Sequence, residues 1–88
     1  MSVHFRRMLH QYFYNQHRIH PSGAAIAYSL LRHDDDCVKC VVCWWIAFKF
    51  DTGRMMSCDD VLDDFPMIPS KSALLSAEKD VLERTGFF

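Results

Sequence analysis

The chain has 88 residues, of which half are hydrophobic and 24% are charged. This length predicts one compact domain over residues 1–88, and the apolar content excludes a disordered chain. The formal net charge is −1, but residues 1–33 hold four arginines and no acid, whereas residues 34–88 hold all eleven acids against six bases. Charge is therefore segregated along the sequence, as in proteins that pair oppositely charged faces or present one of them to a partner.

The first predicted element is an amphipathic helix from Val3 to about His17. Its apolar residues recur at the three- and four-residue spacing of a helix face, and polar residues occupy the other side. These apolar positions are Phe5, Met8, Leu9, Tyr12 and Phe13. Pro21 restrains the residue before it, so the helix should end before this point.

Two strands are predicted next. The segment from Ala24 to Arg32 alternates apolar and smaller residues and is interpreted as a strand, although its Ala and Leu content and a capping Ser22 leave a helix open. The segment from Cys37 to Phe50 has one wholly apolar face when it is read with a period of two.

The remaining elements are a returning strand and two helices. Asp51-Thr52-Gly53 predicts a hairpin turn into a strand over 54–58, and Ser57 predicts the cap of a short acidic helix that Pro66 ends. A last helix should run from Ser70 or Ser72 to Arg84. We therefore expect an α+β fold, in which an N-terminal helix, a short acidic helix and a C-terminal helix accompany a small antiparallel sheet of about three strands in two hairpins.

The predicted order of elements and the triplet at residues 51–53 each resemble a known family. The order helix, three strands, helix resembles the double-stranded-RNA-binding domain, but Lys71 is the one lysine where that family places a lysine-rich patch. Asp51-Thr52-Gly53 resembles the active-site triplet of retroviral-type aspartic proteases, which follow the glycine with a small residue where this chain has Arg54. A tight turn needs the same residue types, and the acidic second half disfavours direct binding of nucleic acid.

Paired histidines and cysteines suggest a metal site as an alternative. His17 and His20, followed by Cys37 and Cys40, have the spacing with which two turns offer four nitrogen and sulfur ligands to zinc. A free cysteine is also a common small core residue, so our main expectation is that no cofactor is bound. With a metal, the chain would be a zinc-stabilised nucleic-acid-binding module that uses basic residues of its first half.

No motif for an enzyme stands out, and we expect a non-enzymatic protein-binding regulator or inhibitor. Small, aromatic-rich and charge-segregated chains suit inhibitors carried by phages or other mobile elements, which act by steric block or by acidic mimicry of nucleic acid. The expected contact residues are aromatic anchors and clustered acids, since aromatic side chains dominate binding energy at interfaces. They are Tyr12, Tyr14, Asp34, Asp35, Asp36, Trp45, Asp59, Asp60, Asp63 and Asp64.

Cellular location and assembly follow from the same features. The longest apolar run, from Val41 to Phe48, is far shorter than the roughly 20 residues that cross a bilayer, and the first residues lack the apolar core of a secretory signal. Four cysteines without such a signal suggest a reducing compartment, so we expect a cytoplasmic protein. The expected partner is a protein, in particular one that itself binds nucleic acid, and a homodimer is an alternative.

Overall fold

The computed structural model describes residues 3–31 and 36–85, and this part of the chain is all-helical. It forms α1 (Val3–His17), α2 (Pro21–Leu31), α3 (Cys37–Thr52), α4 (Cys58–Asp64) and α5 (Lys71–Thr85). Asp34 and Asp35, two of the expected contact residues, lie outside the described residues. The described residues contain no strand, so the predicted α+β fold and the arrangement of the double-stranded-RNA-binding domain are wrong.

The predicted strand over 37–50 is instead the central helix α3. All eight residues from Val41 to Phe48 are buried, because α1, α2 and α5 pack around this helix. A helix that is covered on every side needs apolar residues all round, which removes the helical period from its sequence. Asp36 caps its start by accepting the backbone N–H of Val38 at 2.9 Å, and Gly53, with φ of 68°, ends it in the left-handed conformation.

The segment from Ala24 to Leu31 belongs to helix α2, so its interpretation as a strand is wrong. Pro21 stands at the first helical position, where a missing backbone N–H costs nothing. Gly23 allows close packing, since a Cβ atom there would lie 2.8 Å from Ile19 Cγ1 and 2.9 Å from Asp51 Oδ2. The buried residues follow helical spacing: Gly23, Ala24, Ala27, Leu30 and Leu31.

The two predicted hairpins are absent from the described residues. Asp51 and Thr52 are the last residues of α3, and Asp51 Oδ1 accepts a hydrogen bond from Ser22 Oγ at 2.6 Å. The carboxylate thus joins α3 to the start of α2, which is a structural task unlike that of a protease triplet. The segment 54–57 is a connection without strand pairing, held to α3 because Trp45 Nε1 donates to Met56 O at 2.8 Å.

The other three predicted helices are confirmed. Helix α1 has the predicted bounds, and α4 begins with a capping box in which Ser57 and Asp60 each accept the other's backbone N–H. Helix α5 begins after Ser70, whose hydroxyl accepts the N–H of Ala73 at 3.1 Å. Serine caps mark the starts of α4 and α5, and each of the three helices exposes one face.

Trp44 and Ile46 face different helices around α3. The ring of Trp44 is buried, stacks on Phe13 of α1 with centroids 5.7 Å apart, and meets Tyr28 of α2 edge-on at 5.3 Å. Ile46 lies two positions further on and so points about 200° away around the helix axis, toward Glu78 and Leu82 of α5. The molecule therefore presents separate surfaces on the α1–α2 side and on the α5 side of its central helix.

Candidate functional site

The aromatic residues expected to contact a partner do not form one surface. Trp45 is 3% exposed, so its ring belongs to the core and supports the residues around it. Tyr12 and Tyr14 point about 200° apart around α1, because two positions on a helix are separated by that angle. Tyr12 packs edge-on against Phe65 beyond α4, whereas Tyr14 is exposed on the side near α2. Asp36, at the start of α3, is far along the chain from the acids of α4.

The acids of α4 are exposed on a single short helix, but several have local structural tasks. Asp60 completes the capping box, and Asp59 shares the first turn with it, where negative charge is stabilised by the helix dipole. Asp64 accepts a hydrogen bond from the hydroxyl of Tyr12. These contacts explain much of the acidic cluster without a partner. Its role in recognition stays a prediction.

Tyr12 is the centre of a polar network between α1 and α4. It donates its single proton to Asp64, so its oxygen accepts from Nε2 of His17, 2.9 Å away. Burial of the hydroxyl raises the pKa of Tyr12 above its ordinary range, and the hydrogen bond to Asp64 and the charges of Asp64 and Asp60 add to this effect. The hydroxyl is thus held in its protonated form, as a donor that joins the two helices.

The structure does not bring together the four residues of the alternative zinc site. The ring of His17 lies 5.3 Å from that of Phe48, near the end of α3. Cys37 stands eleven residues earlier in the same helix, which is about 16 Å along its axis. Cys40 is buried in the core, and His20 is exposed before α2. Within residues 3–31 and 36–85, no three histidine, cysteine or acidic side chains lie close enough to share a metal ion.

A different set of residues forms a groove between α3 and α5. We call it the α3–α5 groove; it has a volume of about 240 Å³ and is lined by Ile46, Lys49, Phe50, Glu78 and Leu82. Buried Ile46 and half-buried Leu82 supply an apolar floor, while Phe50, which is 58% exposed, forms a rim. Sequence reasoning named none of these five as site residues.

An ion pair at the edge of this groove joins the two helices. Lys49 Nζ lies 2.7 Å from Glu78 Oε2, and the two side chains are only 25% and 19% exposed. The same ammonium group sits 3.9 Å above the ring of Trp45, which adds a cation–π contact. Lys49 is also in the last turn of α3, where the helix dipole favours a cation. The charges are therefore fixed in position beside an open apolar surface.

The groove could not be predicted from the sequence as long as residues 37–50 were interpreted as a strand. Positions 46, 49 and 50 share a face only on a helix, where residues three and four apart are neighbours. Asp36 and Gly53, which flank the apolar segment as a capping residue and a glycine stop, were the signals that could have identified this helix. Glu78 and Leu82 lie four apart on α5, but which face meets α3 depends on tertiary packing.

Comparisons of the chain with protein-family models, with curated proteins and with solved structures find no match. In the part of the chain that the structure describes, no helix is both long enough and apolar enough to cross a membrane.

Proposed function

We propose that this chain is a non-enzymatic protein-binding regulator that acts by steric block, with the α3–α5 groove as its contact site. The observation that carries this proposal is the half-buried pair of Lys49 and Glu78 beside exposed Phe50. Interfaces are commonly centred on an apolar pocket with an aromatic anchor and a small number of fixed polar groups. The groove offers all three within one patch.

The occupant that fits is an apolar side chain of a protein partner with a polar group next to it. Contact with the floor of Ile46 and Leu82 would remove that side chain from water. This burial contributes a favourable free energy of roughly 25 cal/mol for each Å² of apolar surface. Lys49 keeps further N–H donors and Glu78 a second carboxylate oxygen, which can direct the neighbouring polar group. Steric block is favoured over acidic mimicry, because Asp60 and Asp64 of α4 already serve as a cap and as an acceptor.

The test is affinity purification from cells that express the tagged chain, with quantitative mass spectrometry of wild type and Phe50→Ser. Phe50 is largely exposed, so this variant should keep the wild-type melting temperature. The amount of one set of co-purified proteins should fall by about tenfold, since an aromatic anchor that is buried on binding contributes more than about 1 kcal/mol. The control is Met55→Ser, which removes an apolar residue that is 86% exposed outside the groove. An identical set of bound proteins for Phe50→Ser and wild type would contradict the proposal.

A further inference from the structure

A second open surface lies on the opposite side of α3, between α1 and α2. We call it the α1–α2 groove; it has a volume of about 410 Å³, and its walls are His10 and Tyr14 of α1 and Tyr28 of α2. Ile19 and Pro21 add apolar surface between them. Tyr14 and Tyr28 are both exposed, although both are large aromatic residues.

The walls of this groove are held in place by the core. His10 Nδ1 lies 2.9 Å from the hydroxyl of Tyr28, so one hydrogen bond joins the two walls. The ring of His10 lies over buried Trp44, with centroids 5.0 Å apart and planes tilted by 31°, and Tyr28 meets the same indole edge-on. Side chains that are fixed before binding lose little conformational entropy when a ligand arrives.

The groove continues into a basic surface along α1. A neighbouring depression shares His10 and Tyr14 and adds Arg7 and Gln11, one turn earlier on the same helix face. Exposed His20 lines the α1–α2 groove beside Ile19. The linings of both depressions, as far as the structure describes them, contain no carboxylate, since the sequence has no acid before residue 34.

We infer that the α1–α2 groove is a second binding surface, and that its occupant is an acidic peptide segment of a protein partner, anchored by an apolar side chain. The apolar wall and floor would receive the anchor, and Arg7 in the adjoining depression would complement an acid of the peptide. The surface is independent of the α3–α5 groove, because Trp44 and Ile46 direct the two grooves to opposite sides of α3. The chain would then hold two partners at once.

Two other occupants are less consistent with these residues. Nucleic acid binding draws on several phosphate contacts, whereas Arg7 is the one arginine among the described residues that line the two depressions, in a chain with net charge −1. A second copy of the chain would have to place its acidic half in the groove of the first copy. This arrangement is a head-to-tail contact, whereas most dimers form a self-complementary contact. A separate acidic peptide meets neither difficulty.

The test is selection of peptides from a displayed library of random 12-residue sequences on the immobilised full chain. We expect enrichment of peptides that combine several Asp or Glu residues with one aromatic or aliphatic anchor. Synthetic copies of the enriched peptides should bind Arg7→Glu and Tyr14→Ser about tenfold more weakly than wild type in fluorescence polarisation. Lys71→Glu, with the same charge change on α5, and Phe50→Ser, in the other groove, should bind like wild type.

Several results would overturn the inference. They are the absence of enrichment, enrichment of peptides without acids, and equal binding to wild type and Arg7→Glu. Binding of a 20-nucleotide single strand that Arg7→Glu abolishes would assign the surface to nucleic acid instead. Self-association in analytical ultracentrifugation that Arg7→Glu abolishes would assign it to a second copy. Because Phe50→Ser leaves this groove intact, failure here is distinguishable from failure of the proposed function.

Discussion

Several exposed carboxylates have structural roles within the molecule. Asp36 caps α3, Asp60 caps α4, and Asp64 accepts the hydroxyl proton of Tyr12. Each carboxylate therefore has a backbone or side-chain donor within the molecule. An acidic cluster of this kind stabilises helix starts and helix contacts, and it need not present a charged surface to a partner.

Replacing Tyr12 should reveal the network between α1 and α4. Tyr12→Phe removes the hydrogen bonds to Asp64 and His17, and we expect a loss of about 1 kcal/mol in the free energy of unfolding at pH 8, allowing for partial solvent exposure. The measurement is urea unfolding followed by circular dichroism. Tyr14→Phe is the control, because Tyr14 is exposed on the opposite side of α1.

The same variant should change the pH dependence of stability. The raised pKa of Tyr12 means that the folded chain keeps a proton that the unfolded chain releases above about pH 10. This contribution is complete below pH 10 and is lost as the pH rises toward the folded-state pKa. The stability difference between wild type and Tyr12→Phe should therefore stay constant up to about pH 9 and shrink as the pH rises from about 10 to 11. A difference that stays constant over this range would contradict the assigned network.

At the scale of elements, the position at which a helix starts and the choice between helix and strand have different physical origins. The starts of α4 and α5 depend on serine caps that act within three residues, so they are local properties of the chain. The helical state of α3 depends on its neighbours, because a segment with apolar residues on all sides can be buried as a strand or as a helix. In this fold α2 and α5 cover two sides of α3, as its apolar residues on all sides require.

Helix α4 should depend on its capping box. Ser57→Ala removes the acceptor of the Asp60 N–H, and we expect a loss of about 1 kcal/mol in the free energy of unfolding and faster hydrogen exchange of the α4 amides. Ser76→Ala, in the exposed middle of α5, is the control and should change stability by less than about 0.5 kcal/mol. Equal effects of the two substitutions would show that the cap does not stabilise α4.

At the scale of the whole molecule, α3 divides the surface into two sides. Trp44 faces α1 and α2, and Ile46 faces α5, so one central helix supports both grooves from within. The ion pair between Lys49 and Glu78 ties α3 to α5 at the edge of one groove. A rigid core beneath both surfaces would allow two partners to be held in a defined relative position.

A double-mutant cycle on this pair should measure its contribution. Lys49→Met and Glu78→Met each leave a partly buried charge without its partner, and we expect losses of about 1–2 kcal/mol, with the double variant recovering most of the loss. The exposed pair of Lys79 and Glu83, 3.9 Å apart, is the control and should give a coupling energy below about 0.5 kcal/mol. A coupling energy no larger than that of the control would contradict a fixed ion pair in the groove.

The sequence by itself determined α1, α4 and α5, through local apolar stripes and, at the starts of α4 and α5, serine caps. It also separated the basic first half from the acidic second half. Only the tertiary structure decided that α2 and α3 are helices and that positions 46, 49 and 50 share a face. The physical reason is that residues 41–48 are apolar on every side, so their pattern has no period that favours a helix over a strand, and the packing of α1, α2 and α5 supplies the missing information.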